Sequence, residues 1–425
     1  MFKNYRWTIC LLLFFAMLIN YLDRSALSVA APILAKDFGL NKIQLGWVFS
    51  SFFAGYAMFN LVGGYLSDKY GARIVLAGSM IIWSVFCGLT TEATGLVSLL
   101  IIRFFFGIGE GPISASANKI VYNWFPSNER AKVMSYALAG VPLGGAIAGP
   151  VVGLMTSYWG WKVAFWVLVC VGLVWTFFFM KHVAERPQES KYVSPRELKE
   201  IEESQAKQAV TFDGGAAKKL PLTYFIKKPI ILTAAFAYFA HSYVMFFFLS
   251  WFPTYLMMER GLSLKEMSLA SVVPWLVGTF GFIFAGHIAD MVMKRSNDVY
   301  FTRKWVSVIC TVIVAVCVGL AGQVQTTAAA LVLTGISLFC SYVAIPQFWG
   351  IIQENVSGNQ MGTVGGFVHF VANSSGIIAP AVTGYAVEAS GQFISSFYLA
   401  TMVVIAGMVV LYLFVKPPKN AVVAN

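Results

Sequence analysis

Apolar runs and short polar breaks alternate along almost the whole chain, and the runs are too long and too uniformly apolar for amphipathic helices of a water-soluble core. A helix that crosses a bilayer needs about 20 predominantly apolar residues. Runs of that kind lie near 7–30, 44–66, 74–91, 95–122, 132–157 and 161–181. A polar stretch follows over 182–228, and six more runs lie near 230–256, 267–288, 304–322, 327–352, 361–386 and 393–415. The pattern predicts an all-α polytopic membrane protein with 12 transmembrane helices in two pseudo-symmetric six-helix bundles. The first bundle is expected over 1–181, a cytoplasmic linker over 182–228, the second bundle over 229–416 and a cytoplasmic tail over 417–425. Within the linker, Ser194-Pro195-Arg196-Glu197 has the form of a capping box with proline at the first helical position, which predicts a short amphipathic surface helix over about 194–208.

Composition agrees with this reading. Of the residues, 58% are hydrophobic and only 12% are charged, whereas soluble domains run at roughly a quarter charged. A mean hydropathy of +0.72 excludes a disordered chain and argues against a soluble enzyme. The net charge of +11 would suggest a nucleic-acid partner in a soluble protein, but here the placement of the 30 Lys and Arg residues carries the information. With the N-terminus inside, the outer loops hold only Lys36, Lys42, Lys162, Arg260 and Lys265. Arg24, Arg103 and Lys119 fall within runs, and the remaining basic residues lie on the inner side. Both termini are therefore expected in the cytoplasm, with lipid and not nucleic acid as the macroscopic partner. The six cysteines (Cys10, Cys87, Cys170, Cys310, Cys317, Cys340) all sit in apolar runs at spacings that match no metal or redox motif. No small-residue cleavage site follows the first run, so a retained first helix is expected.

An internal repeat fits the two-bundle plan. Gly63-Gly-Tyr-Leu-Ser-Asp68-Lys69-Tyr-Gly-Ala-Arg73 ends the second run, and Ala285-Gly-His-Ile-Ala-Asp290-Met-Val-Met-Lys-Arg295 ends the eighth. Gly64-Tyr-Leu-Ser-Asp68-Lys69-Tyr-Gly71-Ala-Arg73 resembles the loop 2–3 signature of the major facilitator superfamily, and its second copy fits too. Within that superfamily the chain is similar to the anion:cation symporters, whose bacterial members carry sugar acids with protons. Three stretches carry the finer likeness: Asn20-Tyr21-Leu22-Asp23-Arg24, Arg103-Phe-Phe-Phe-Gly107-Ile-Gly-Glu110-Gly-Pro112, and Trp124-Phe125-Pro126-x-x-Glu129-Arg130. The likeness covers essentially the whole chain. It implies a monomeric alternating-access carrier in a bacterial cytoplasmic (inner) membrane, with protons as the coupling ion and no other cofactor.

Ionisable groups inside a membrane are costly and mark function by default. Asp23 and Arg24 lie in the first run, and Arg103 and Glu110 in the fourth, where seven residues place both on one helical face. The resemblance implies that these two helices pack together. An anionic substrate needs a cation to meet its carboxylate, and the planar fork of arginine does this best. A proton-coupled carrier also needs an acid whose protonation follows its partners. By resemblance Arg24 is the substrate clamp, Glu110 and Asp23 are proton sites, and Arg103 is the switching counter-ion. Tyr21 and Tyr56 are candidates for bonds to sugar hydroxyls. A buried ion network that only locks helices together is the structural alternative.

In the second half Gln347, Trp349, His369, Asn373, Ser374 and Ser375 are the polar content of runs 10 and 11, with His369 and Asn373 one turn apart. Related sugar-acid carriers have an amide where this chain has His369 and a glutamine where it has Val141, which bears on the identity of the sugar. Asp68, Lys69, Arg73, Asp290 and Arg295 read as a gate of charge pairs and helix-end contacts. Gly149 and Pro150 belong to a glycine-rich fifth run suited to close approach and bending. Gly145-x-x-x-Gly149-Pro150 also resembles a motif of drug/proton antiporters. No phosphate-binding loop, metal cluster or nucleophile motif occurs, so neither an ATP motor nor an enzyme is expected. The chain thus reads as a proton-coupled importer of an organic anion, foremost an aldonate, hexuronate or aldarate. A drug/proton antiporter and a symporter of a non-sugar organic anion stand beside that reading.

Overall fold

The structure is a computed structural model describing residues 4–213, 221–356 and 361–415. The tail expected over 417–425 lies outside the described residues, as do linker residues 214–220. Among the described residues no strand occurs. The first half contains α1 (Arg6–Asp37), α2 (Lys42–Tyr70), α3 (Ala72–Leu89), α4 (Leu96–Glu110), α5 (Ile113–Trp124), α6 (Arg130–Leu138), α7 (Gly140–Ala148), α8 (Leu154–Trp159) and α9 (Trp161–His182). The central stretch forms α10 (Pro195–Asp213) and α11 (Leu222–Ile226). The second half contains α12 (Pro229–Met258), α13 (Leu264–Ala270), α14 (Val272–Ser296), α15 (Val299–Ala321), α16 (Thr327–Gln353), α17 (Met361–Ser390) and α18 (Ile394–Phe414).

Among the described residues eleven helical stretches are long and apolar enough to cross a membrane, or twelve when α2, bent by 48° between Asn60 and Val62, is taken as one span. The bend directly precedes Gly63-Gly64, and paired small residues are a recognised cause of helix kinks. The outward-facing side chains are themselves apolar: Val97 is 69% exposed and Phe177 63%. An array of that kind suits lipid and would be an aggregation hazard in water.

By internal contacts the chain divides into two compact units, residues 1–218 with 262–272, and residues 219–261 with 273–425. In the first unit α2 and α4 approach until backbone meets backbone. Gly55 of α2 faces the carbonyl of Phe104, and Gly107 of α4 faces the carbonyl of Phe52; a Cβ at either glycine would overlap that oxygen. Between α7 and α8 the helix opens into a π-turn over Gly149–Gly153, where Pro150 has no N–H to give. α13 packs there, with Gly149 against the Ser268 carbonyl and Ser271 hydroxyl, and Gly153 against the Ser268 hydroxyl.

The linker helix forms as expected and runs further, to Asp213. Ser194 caps it by accepting from Glu197 N at 3.2 Å. The expected capping box is only half made, because the Glu197 carboxylate serves another helix. It accepts from the backbone N–H of Tyr5 and of Arg6, each at 2.9 Å, and so caps the N-terminus of α1, which has no acid in its own first turn. Arg6 bonds Glu200 at 3.0 Å and Glu129 at 3.1 Å, which fixes α10 to the first unit. Tyr5 donates to the His182 carbonyl at 2.9 Å and stacks on Tyr192. Burial, with Tyr192 alongside, pushes its phenol up to about 12, so it remains a donor. In the second unit α12 is buried along most of its length, and His241 within it bonds Thr311 Oγ1 at 2.9 Å, a structural role.

Two outcomes test these contacts. Gly107→Val should destabilise the protein by about 1–3 kcal/mol, the usual cost of overpacking. Gly78→Ala, with nothing within 4 Å of the new methyl, should stay within about 0.5 kcal/mol of the parent; thermal melting in detergent compares the two. Glu197→Ala should free the N-terminus of α1 and accelerate limited proteolysis of the 182–213 stretch roughly tenfold, since a capping bond of this kind is worth about 1–2 kcal/mol.

Candidate functional site

The first unit holds a buried ion pair. Glu110 ends α4 and Arg24 lies just past the middle of α1. Arg24 donates to one oxygen of Glu110, Oε2, through Nη2 at 2.7 Å and Nε at 3.1 Å. Arg24 is 5% exposed and Glu110 fully buried. Asn20, one turn earlier on α1, accepts from Arg24 Nη2 at 3.3 Å. The guanidinium lies 4.8 Å from the ring centre of Tyr21, 4.6 Å from Tyr56 and 5.0 Å from Phe52. The close approach of α2 and α4 at Gly55 and Gly107 brings Tyr56 and Phe52 to this place.

Asp23 and Arg103 are buried nearby but form no ion pair with each other among the described residues. Asp23 Oδ2 accepts from the indole N–H of Trp83 at 3.1 Å, and its Oδ1 has no hydrogen-bond partner. The Arg103 guanidinium stands 4.7 Å from the ring centres of both Phe52 and Phe106, and its Nε has no hydrogen-bond partner. Both arginines therefore share the Phe52 ring, and the acid paired with Arg24 is Glu110. The second oxygen of Glu110, Oε1, is buried without a partner. This arrangement carries one ion pair and, with Asn20 Nδ2, four buried polar atoms without a hydrogen-bond partner, an imbalance that marks a place where a ligand or proton completes the bonding.

At the polar end of the same unit the first copy of the repeated motif is engaged. Asp68 pairs with Lys119 at 2.6 Å, and Lys119 also donates to the Ser67 carbonyl at 3.0 Å. Lys69 lies over Tyr65 and Tyr70. Arg73 donates to the Met180 carbonyl at 2.6 Å. The carboxylate of Glu185 accepts from Ala72 N at 3.0 Å and Arg73 N at 2.8 Å, capping α3. In the second copy Asp290 and Arg295 are exposed, and neither forms an ion pair among the described residues.

In the second unit Trp349 of α16, His369 of α17 and Tyr238 of α12 form a triangle of rings with each pair of centres 6.3 Å apart. Asn373 Nδ2 donates to the His369 carbonyl at 2.7 Å and lies 2.9 Å from His369 Nδ1. Ser374 and Ser375 donate to carbonyls of their own helix, at Val371 and Ala372. Gln347 is not brought to this cluster. Two residues from Trp349, it lies on the far side of α16, and its Oε1 accepts from Arg303 Nη1 of α15 at 2.9 Å. Among the participants not singled out from sequence are Trp83, Tyr238 and Glu185. The two aromatics carry a polar tip in mid-run, a weak signal since such rings also pack or sit at interfaces; Glu185 had none, being one acid of a charged linker.

The Major Facilitator Superfamily profile matches residues 13–380. The chain is 45% identical over 419 residues to the hexuronate transporter of Bacillus subtilis (strain 168), covering 98% of this chain and 96% of that one. It is 29% identical over 425 residues to the probable galactarate/D-glucarate transporter GarP of Escherichia coli (strain K12), covering 96% and 94%. The crystal structure of a D-xylose-proton symporter superposes with a TM-score of 0.76 over 97% of this chain and 98% of that one, at 16% identity, a likeness of fold. A profile spanning most of the chain, membrane-length apolar helices and a near-full-length relative at this identity lead to one assignment: the chain belongs to the major facilitator superfamily and is a multi-pass membrane transporter, not an enzyme.

Proposed function

We propose that this protein imports a hexuronate together with protons across a bacterial cytoplasmic membrane, as a monomer working by alternating access with no cofactor besides the proton. The observation that carries the reading is the Arg24–Glu110 pair, buried and made through a single carboxylate oxygen. The carboxylate of an incoming uronate is a competing bidentate partner for Arg24. Once it takes the guanidinium, Glu110 is left as an unpaired buried carboxylate, which is costly, and a proton removes that charge. Substrate and proton thus enter together. On release of both, Arg24 and Glu110 re-form their pair and reset the carrier. Asp23, held by Trp83, is the second acid on this route, and Tyr21 and Tyr56 flank the clamp. Asp68, Lys69, Arg73, Gly149 and Pro150 serve the opening and closing of the carrier. The near-full-length likeness to a transporter named for hexuronates supports that choice among sugar acids.

Purified protein in liposomes with an internal pH dye tests the reading. Glucuronate should acidify the interior, whereas a signal with cationic drugs alone would replace this reading by the antiporter. Arg24→Ala should weaken uronate binding by about 10- to 100-fold, the worth of charge-assisted hydrogen bonds; unchanged affinity would refute the clamp. Glu110→Gln, a neutral stand-in for the protonated acid, should keep counterflow exchange but lose pH-driven accumulation. Retained accumulation in that variant would remove Glu110 from the coupling route.

A further inference from the structure

Among the described residues Asp23 is anchored at one oxygen only. The indole Nε1 of Trp83 donates to Oδ2 at 3.1 Å, while Oδ1 is buried without a hydrogen-bond partner. Trp83 is fully buried in α3, and its backbone is held by neighbouring helices. Gly109 of α4 abuts it so closely that a Cβ there would lie 2.8 Å from Trp83 N. One residue on, Gly172 of α9 lies against the Ser84 hydroxyl. The indole is thus a fixed post whose tip reaches α1. Gly109 directly precedes Glu110, so the post that holds one buried acid stands against the backbone that carries the other. Facing Asp23 are Glu110 and Arg103 of α4 and the Cys87 thiol of α3, one turn on from Trp83. Arg24, next to Asp23 on α1, is turned to Glu110.

We propose that Trp83 is a positioning residue for proton coupling: its indole fixes Oδ2 of Asp23 and so makes Oδ1 the oxygen that takes up and releases the proton. The inference rests on the reading of Asp23 as a proton site and deepens it. An indole N–H can give a hydrogen and cannot accept one. A proton on Oδ2 would turn that atom into a hydroxyl oxygen, a poorer acceptor for the indole. A proton on Oδ1 leaves Oδ2 a good acceptor in both states, as half of a carboxylate when charged and as a carbonyl oxygen when neutral. The carboxyl then keeps its place through the cycle, and only its charge changes. The proton comes from the outer aqueous phase and is given up to the inner one, and no other reactant takes part. The bond does not serve both forms equally, because a hydrogen bond to a charged group is about twice as strong as one between neutral groups. Trp83 therefore bears on the pH at which the carrier loads, and it does so only through Asp23.

The test replaces Trp83 by 3-benzothienylalanine, which has sulfur in place of the indole N–H and nearly the same shape, with Trp83→Phe beside it. Uptake of labelled glucuronate by the full chain in liposomes is followed against external pH. The isostere should keep near-parental maximal uptake, while its half-maximal pH moves up by about one unit, the worth of one hydrogen bond to a charged group. Trp83→Phe should shift the profile in the same sense and also lose rate, since the smaller ring leaves a cavity. In an Asp23→Asn background, followed by counterflow exchange against pH, the isostere should shift nothing, which closes a double-mutant cycle. A transporting isostere whose half-maximal pH stays within about 0.2 units of the parent would overturn the positioning role. So would an equal shift in the Asp23→Asn background, or loss of transport at every pH in both Trp83 variants, which would leave Trp83 a packing residue. Asp23→Asn that retains pH-driven accumulation would remove Asp23 from the coupling route, and the role of Trp83 with it, while leaving transport standing. A parent protein that takes up no glucuronate would overturn the transport reading itself.

Discussion

A charge buried in a membrane protein has to be met by another, and in the first unit that requirement falls on Arg24 and Glu110. The pair joins α1 to α4. It sits where it does because α2 and α4 touch backbone to backbone at Gly55 and Gly107, which delivers Phe52 and Tyr56 to the face of the guanidinium. Arg103 lies against the same Phe52 ring. The aromatic lining and the glycine contact therefore depend on one electrostatic demand. The open lone pairs of Glu110 Oε1 and Asp23 Oδ1 show that the demand is met only in part. A fully satisfied network would rigidify the bundle. A partly satisfied one leaves room for exchange of partners, which a carrier needs.

The polar ends of the first unit obey a related rule. α1 and α3 begin without an acid in their own first turns. Glu197 and Glu185, both from the stretch after α9, supply the missing carboxylates to their exposed N–H groups. By contrast α2 and α13 cap themselves, through Asn41 with Gln44 and Ser263 with Glu266. Segments that read as connecting material in sequence are thus part of the first unit's structure. The two halves also differ despite their repeated motif: Asp68 has Lys119, while Asp290 has no ion-pair partner among the described residues. Internal repetition fixed the placement of the motif, and the surrounding helices decided which copy is engaged.

The sequence by itself determined the twelve crossings, the linker helix and the small set of ionisable groups inside the apolar runs. Each follows from a constraint that acts locally: a bilayer requires long apolar helices, a cap requires its Ser and Pro, and a buried charge is too expensive to be incidental. What only the tertiary structure decided was pairing. The seven-residue spacing of Arg103 and Glu110 fixes a shared face but not which acid meets which base, and the fold gave Glu110 to Arg24 and left Arg103 over aromatic rings. Trp83 and Tyr238 lacked any periodic signal, because an aromatic in an apolar run looks the same whether it packs, touches lipid or holds a carboxylate. Gln347 illustrates the converse. Its two-residue offset from Trp349 already placed it round the helix, away from that face, but only the fold showed Arg303 waiting there. Local sequence settles which residues are too costly to be idle, while the partner that accounts for the cost comes from another helix and is legible only in three dimensions.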